Sequence, residues 1–283
     1  MATITAISQP FVTECEGIIC TSSSVLEPET NAAGKKIWES AGKKWFTAFP
    51  VTLSEKAESQ KSDGEIFAFL DRMQSRFGKH CLIYVSFGSV TWPAETDKLF
   101  AVLETLVKND TPFILAHPDV PELPTDIRSL IDGSEIAMAL SWAPQQEILA
   151  HKVTGWFMTH GGWNSTQEGI MARVPMIFWP YSADQPVNAG ILVLNHKAAL
   201  ELIEVRTTEW GQRKPYRELE VPPTYTTKAV RAEVGRLLER LKGPGGQVVR
   251  ENALALGDKV NKLWEQDGES RKELLDFLST FCS

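Results

Sequence analysis

Apolar residues along the chain fall into two kinds of pattern, and their alternation sets the first expectation about the fold. Short, mostly unbroken apolar runs at Cys81 to Ser86, Phe113 to Ala116, Glu135 to Leu140, Gly155 to Thr159, Met176 to Phe178 and Leu200 to Val205 read as strands. Most are separated by helical patterns. Ile66 to Phe77 is one, and Glu95 to Lys108 is another, with Leu99, Val102, Leu103, Leu106 and Val107 on one face at the helical period. Strands that alternate with helices imply a parallel sheet covered on both sides. The expected fold class is therefore α/β: a Rossmann-like parallel sheet with helices on both faces.

The two ends of the chain differ from this middle. Near the start, Gly17 to Cys20 and Lys44 to Phe49 read as strands, and Pro28 ahead of a charged stretch suits the first turn of a helix. Ser54 to Gly64 is polar and charged, the best candidate for a linker. From Thr227 onward the pattern is helical. Val230, Val234, Leu237, Leu238 and Leu241 share one face, Gly243-Pro244-Gly245-Gly246 breaks the run, and two more helices end near Thr280. This gives a division into 1–53, a linker at 54–64, and a sheet domain with a helical C-terminal tail at 65–283.

Composition narrows the function classes. With 283 residues, 43% of them hydrophobic, the chain can bury one large core or two small ones. A net charge of -7 argues against a surface built to neutralise nucleic acid, so no nucleic-acid partner is expected. Four scattered cysteines, Cys15, Cys20, Cys81 and Cys282, form neither a disulfide framework nor a C-x-x-C pair. The longest apolar runs fall far below the roughly 18 residues of a membrane span, and no leader pattern is seen, so the chain reads as cytoplasmic.

In parallel sheets, ligands sit where strand carboxyl ends pass into helix N-termini. Three such loops carry candidate chemistry. The loop after Thr159 reads His160-Gly161-Gly162-Trp163-Asn164-Ser165-Thr166. Tandem glycines permit a tight turn, and a helix starting at Asn164 or Ser165 would aim its N–H groups and dipole at an anion such as a diphosphate. His160 could add a donor, although an isolated histidine at a strand end is more often structural. Ser165-x-x-Glu168 fits a capping box on spacing alone; the alternative is that Glu168 accepts hydrogen bonds from two ribose hydroxyls. The loop Ser141-Trp142-Ala143-Pro144-Gln145-Gln146 offers an indole that could stack on a base or simply pack on a turn. A third loop follows Ser86. No G-x-G-x-x-G follows a predicted strand, which disfavours a nicotinamide oxidoreductase.

Taken together, Trp142 to Gln185 resembles the signature box of family 1 UDP-glycosyltransferases. The matching features are Trp142-x-Pro144-Gln145, Ile148-Leu149 with His151, Gly155, Thr159-His160, Gly162-Trp163-Asn164-Ser165, Glu168, Val174-Pro175, Trp179-Pro180 and Asp184-Gln185. Val85-Ser86-Phe87-Gly88-Ser89 resembles the family's phosphate-side loop, and Gly17 to Leu53 the stretch that closes its N-terminal acceptor domain. Two positions depart from the plant pattern: Gly161 stands where cysteine is usual, as in microbial members, and Arg173 stands where glycine precedes Val-Pro.

The resemblance implies the C-terminal, donor-binding half of a GT-B enzyme. Trp142 would stack on uracil while the Ala143 backbone reads its edge, and Gln145 and Glu168 would hold the ribose. Ser89, His160, Asn164 and Ser165 would contact the diphosphate with Gly162 and Trp163 beside them, and Asp184 and Gln185 would bond the transferred sugar. The closing glutamine resembles members that use UDP-glucose. The implied reaction is inverting hexosyl transfer to a hydroxyl of a small-molecule acceptor, with UDP-sugar as co-substrate and neither cofactor nor metal. The family's catalytic base is a histidine near the start of the acceptor domain. Residues 1–53 resemble only that domain's end, and no role as base is assigned to His80, His117, His151 or His196. Three readings follow: a truncated enzyme, a donor-binding subunit whose partner supplies the other half, and a non-catalytic UDP-sugar-binding protein.

Overall fold

Strand Leu82–Ser86 is buried along its whole length, and a strand without a polar face belongs inside a sheet covered on both sides. The computed structural model places it there, and it describes residues 12–51, 63–89, 92–118, 122–212 and 221–282. The elements in chain order begin with β1 (Gly17–Cys20), α1 (Pro28–Ser40), β2 (Lys44–Thr47) and α2 (Asp63–Phe77). Next come β3 (Leu82–Ser86), α3 (Thr96–Lys108), β4 (Phe113–Ala116), α4 (Thr125–Asp132), β5 (Ala137–Leu140), α5 (Gln145–Ala150) and β6 (Thr154–Thr159). They are followed by α6 (Trp163–Met171), β7 (Met176–Phe178), α7 (Gln185–Gly190), a π-helical turn at Ile191–Asn195, β8 (Ala199–Glu201) and α8 (Thr208–Gly211). The chain ends with α9 (Thr227–Lys242), α10 (Pro244–Asn261) and α11 (Glu269–Phe281).

The chain divides into two compact units: the described residues of Met1–Thr52 with Asp258–Ser283, and those of Leu53–Gly257. The larger unit holds a six-stranded sheet ordered β5-β4-β3-β6-β7-β8, with every neighbouring pair parallel. The α/β reading therefore stands. The chain builds outward from β3 to β5 and then returns to β6 on the other side of β3. That reversal puts a topological switch point between β3 and β6, where ligand clefts form at carboxyl ends.

One core runs from the sheet to its covering helices. Ile83, Val85 and Phe87 pack with Leu99, Val102, Leu103 and Leu106 of α3, and Val230, Val234, Leu237 and Leu238 of α9 join them. Both predicted stripes thus face the core. Thr226 caps α9 by accepting from the Ala229 N–H. Boundaries moved by a few residues: the strand expected to start at Glu135 starts at Ala137, and the one expected at Leu200 to Val205 is Ala199–Glu201. Asp63 and Gly64, placed in the linker, open α2; the rest of that linker except Gly64 and Asp63 lies outside the described residues.

In the smaller unit β1 and β2 pair in parallel, joined by α1 with Pro28 in its first turn. The sequence division had kept 65–283 together, whereas the structure groups Asp258–Ser283 with the first segment. The reason is specific contact. Phe277 and Phe281 of α11 stand edge-on to Phe46 at 5.5 and 6.1 Å. Ser270 Oγ donates to the Phe49 carbonyl at 2.6 Å, and Trp264 Nε1 to that of Pro50 at 2.8 Å.

Candidate donor cleft

At the carboxyl ends of β3 to β7 lies a cleft of about 770 Å³. All twelve residues singled out from the sequence line it: Ser89 after β3; Trp142, Ala143 and Gln145 between β5 and α5; His160, Gly162, Trp163, Asn164, Ser165 and Glu168 around the start of α6; and Asp184 and Gln185 at the start of α7. The sheet brings together positions nearly a hundred residues apart.

The glycines make room for the imidazole. Gly88 has φ +77°, and a Cβ there would come within 2.9 Å of His160 Cε1; a Cβ on Gly162 would come within 2.4 Å of His160 Nε2. Gly161 has φ +84°, which favours glycine, and a side chain there would strike Phe178. The ring so enclosed is 9% exposed. Burial lowers its pKa below the ordinary histidine value while Asp184 pulls it the other way. A neutral imidazole at neutral pH is a hydrogen-bond donor through one nitrogen rather than a fixed cation.

Helix α6 starts at Trp163 with Gly162 as N-cap, one or two residues earlier than expected. Ser165 is therefore inside the first turn, and the capping-box reading of Ser165 and Glu168 does not hold. Glu168 instead accepts from the side-chain amides of Gln145 and Gln146, the latter at 3.1 Å. These two bonds hold the carboxylate at the cleft wall. The N–H groups of the first turn of α6 have no helical acceptors by geometry, which suits an anion. Among the described lining residues there is no lysine or arginine, so an anion here would be met by neutral donors and the helix end.

Gln185 is buried, and its Oε1 accepts from the N–H groups of Tyr181 and Ser182 at 2.8 and 3.1 Å. That leaves its amide N–H2 as what it offers to a ligand. Asp184 accepts from Asn188 Nδ2 at 2.8 Å, and the same amide donates to the Gly161 carbonyl at 2.9 Å, tying α7 to the glycine loop. Trp142 is 46% exposed and lines the cleft.

Several lining residues were not singled out in the sequence. Tyr84 and Ser86 line the floor from β3, two residues apart on one face. Ser86 Oγ accepts the Gly88 N–H at 3.4 Å and bonds the buried Tyr84 hydroxyl, whose pKa burial pushes far up. His117 also lines the cleft, its Nδ1 at 2.8 Å from the Pro118 carbonyl. It is the first residue past β4, a strand end that was not among the three loops taken up from the sequence, although the same rule would have pointed to it. Among the described residues no group of three or more His, Cys, Asp or Glu side chains is placed to hold a metal ion.

The departure at Arg173 has a structural account. Arg173 follows α6 with φ 60°, the left-handed conformation in which glycine is easiest. The extra side chain is accommodated by a glycine elsewhere: a Cβ on Gly257 would lie 2.7 Å from Arg173 Cγ.

Comparisons with known proteins bear on the family and the fold. The family model for UDP-glucoronosyl and UDP-glucosyl transferase matches residues 57–211. The chain is 33% identical over 234 residues to the UDP-glycosyltransferase eriJ of Hericium erinaceus, covering 80% of this chain and 46% of that protein. It is 31% identical to a zeatin O-xylosyltransferase of Phaseolus vulgaris, over 87% of this chain and 51% of the relative. A Phytolacca americana glycosyltransferase solved with UDP-2fluoro-glucose and pterostilbene superposes with a TM-score of 0.70 at 26% identity, over 95% of this chain and 54% of that one. A transferase from Siraitia grosvenorii in complex with UDP shares the fold, with a TM-score of 0.74 at 23% identity over 95% of this chain and 61% of that one. The chain belongs to the UDP-glycosyltransferase family, and it shares its α/β fold with solved GT-B members of that family. It spans about half the length of the curated relatives it matches.

Proposed function

We propose that this chain supplies the donor site of a UDP-glycosyltransferase, one that transfers a hexose, glucose in the reading favoured by Gln185, to a hydroxyl of a small-molecule acceptor with inversion. The observation that carries this is the convergence of four separate loops on one cleft with the chemistry a nucleotide sugar needs. An exposed indole at Trp142 offers a stacking surface for uracil, with the Ala143 backbone beside it. A carboxylate fixed by Gln145 and Gln146 suits the ribose hydroxyls. His160, Ser89 and the start of α6, with Asn164 and Ser165, present neutral donors to a diphosphate. Such preorganised donors stabilise the charge that develops on the departing UDP, and this task requires no metal. Asp184 and the Gln185 amide N–H2 face the sugar.

On this reading the base that deprotonates the acceptor comes from outside residues 12–282, from a partner or from further chain that supplies the acceptor half. Buried His160 is suited to donate to phosphate, not to take a proton from an acceptor. A non-catalytic UDP-sugar-binding protein is the alternative. A second reading within the chain rests on His117. A donating Nδ1–H to the Pro118 carbonyl would leave Nε2 as a proton acceptor at the cleft.

Calorimetric titration with UDP and UDP-glucose, followed by a transfer assay on the same samples, tests these readings. Binding without transfer supports a donor half that needs its complement. Transfer that is lost in His117→Gln while UDP binding persists supports His117 as base. A folded chain that binds neither ligand overturns the proposed donor site.

A further inference from the structure

A second cavity, of about 460 Å³, opens at the amino ends of the same strands, in the size range of roughly 300–1,000 Å³ that small-molecule pockets occupy. Its walls are apolar: Phe77 at the end of α2, Ile83 of β3, Pro112 before β4, Trp156 of β6, and Leu238 and Leu241 of α9. Its polar edge is different in kind from that of the donor cleft. Lys242 and His80 line it, and Asp110 is the one carboxylate among the described lining residues. Arg250 stacks over the Trp156 ring with its guanidinium carbon 5.1 Å from the centroid. Arg250 and Lys79 both act on His80 as like charges.

Cations thus gather around an apolar pocket in a protein whose net charge is -7. An apolar body would gain by displacing water from these walls, and an attached anion would find exposed Lys242 at the rim, with half-buried Arg250 nearby. We propose that this cavity is a binding site for an aromatic or alicyclic molecule bearing a carboxylate or sulfonate, distinct from the nucleotide-sugar site. Ile83 of the cavity and Ser86 of the donor cleft lie on one strand, three residues apart and so about 10 Å along it.

Cys81 supplies a reporter. Its thiol lines the cavity and donates to the Gly78 carbonyl at 3.2 Å, whereas Cys15 lines a groove in the other unit. The probe is anilinonaphthalene sulfonate, titrated into the full chain by fluorescence, with the rate of maleimide modification at each cysteine read by peptide mass spectrometry. The expected result is saturable binding that slows modification of Cys81 over the same concentration range, leaves Cys15 unaffected and persists in saturating UDP. Lys242→Glu should weaken the probe about five- to tenfold, and Leu241→Trp should weaken it by filling the space. Absence of saturable binding, protection of Cys15 in place of Cys81, displacement by UDP, or unchanged affinity in both variants would overturn the assignment. The measurement on the unaltered chain stands even where a variant fails to fold.

Discussion

The two ends of the six-stranded sheet are built by different means. At the carboxyl ends, short loops turn on glycines and project polar side chains that fix one another: Gln145 and Gln146 on Glu168, Asn188 on Asp184, Gln185 on the Tyr181–Ser182 backbone. At the amino ends, strand starts are jammed against neighbouring backbone, and the walls of the cavity come from four distant stretches of chain. Gly155 shows this. A Cβ there would sit 2.0 Å from the His80 carbonyl oxygen, beside a register irregularity between β3 and β6. One end of the sheet is a polar cleft built from loops, and the other is an apolar-walled cavity set beside close backbone packing.

The largest expected effect breaks the amino end. Gly155→Ala forces backbone apart where β6 starts beside His80 and should cost about 3 kcal/mol of stability, the upper part of the range for overpacking. Denaturant unfolding measures it. Gly162→Ala, whose Cβ meets a side-chain imidazole and not backbone, should cost less stability but displace His160 and weaken UDP. If Gly155→Ala unfolds like the unaltered chain, the close backbone contact is not what shapes that end.

The next effect is confined to the carboxyl end. Trp142→Ala removes a half-exposed indole and should weaken UDP binding by roughly 1–3 kcal/mol, as base–aromatic stacking does. Stability should change by no more than about 0.5 kcal/mol, since the residue is exposed at the cleft and lies outside the buried core. An unchanged UDP affinity in calorimetry would sink the stacking role.

The same contrast explains what could be read from the sequence. The carboxyl-end residues lie in contiguous motifs, so Trp142, His160, Glu168 and Gln185 were found as text, and the sheet needed only to bring the loops together. Periodicity also located β4 and β7 and the apolar stripes of α3 and α9. What it missed depended on contacts between distant segments. The pairing of Asp258–Ser283 with the first segment rests on Phe46 meeting Phe277 and Phe281, which no local pattern encodes. The amino-end cavity joins Cys81, Trp156 and Leu241 across the sequence in the same way. The capping-box expectation failed because helix α6 begins at Trp163, and the donors that Glu168 accepts from are side-chain amides more than twenty residues away.

A finer test concerns Gln185. Its carbonyl oxygen serves the loop and its N–H2 is what remains for a sugar, so Gln185→Glu keeps the acceptor while removing the donors. UDP-glucose should lose about 1 kcal/mol of binding, one hydrogen bond's worth, with UDP itself little changed. Equal losses for both ligands in parallel titrations would place the residue at the nucleotide and not at the sugar.

The smallest expected effect distinguishes the two ends by their charge surroundings. His80 and His160 both have pKa values lowered chiefly by burial. Around His80 the added influence is cationic, from Arg250 and Lys79, and lowers the pKa further; around His160 it is Asp184, which raises it. Salt screens each influence, so raising ionic strength should move the His80 pKa up and the His160 pKa down. Histidine proton shifts followed by NMR at low and high salt, with His80→Gln and His160→Gln for assignment, measure this directly. The sign for stability follows from proton linkage. A folded histidine with a lowered pKa binds fewer protons than the unfolded one, so its neutral-state stability is present above the unfolded value near 6.5 and declines as pH falls from there toward the folded pKa. Either replacement should therefore flatten part of the acid-side loss of stability. Shifts of the same sign with salt at both histidines would mean that the charges assigned to one end of the sheet are not the ones its imidazole feels.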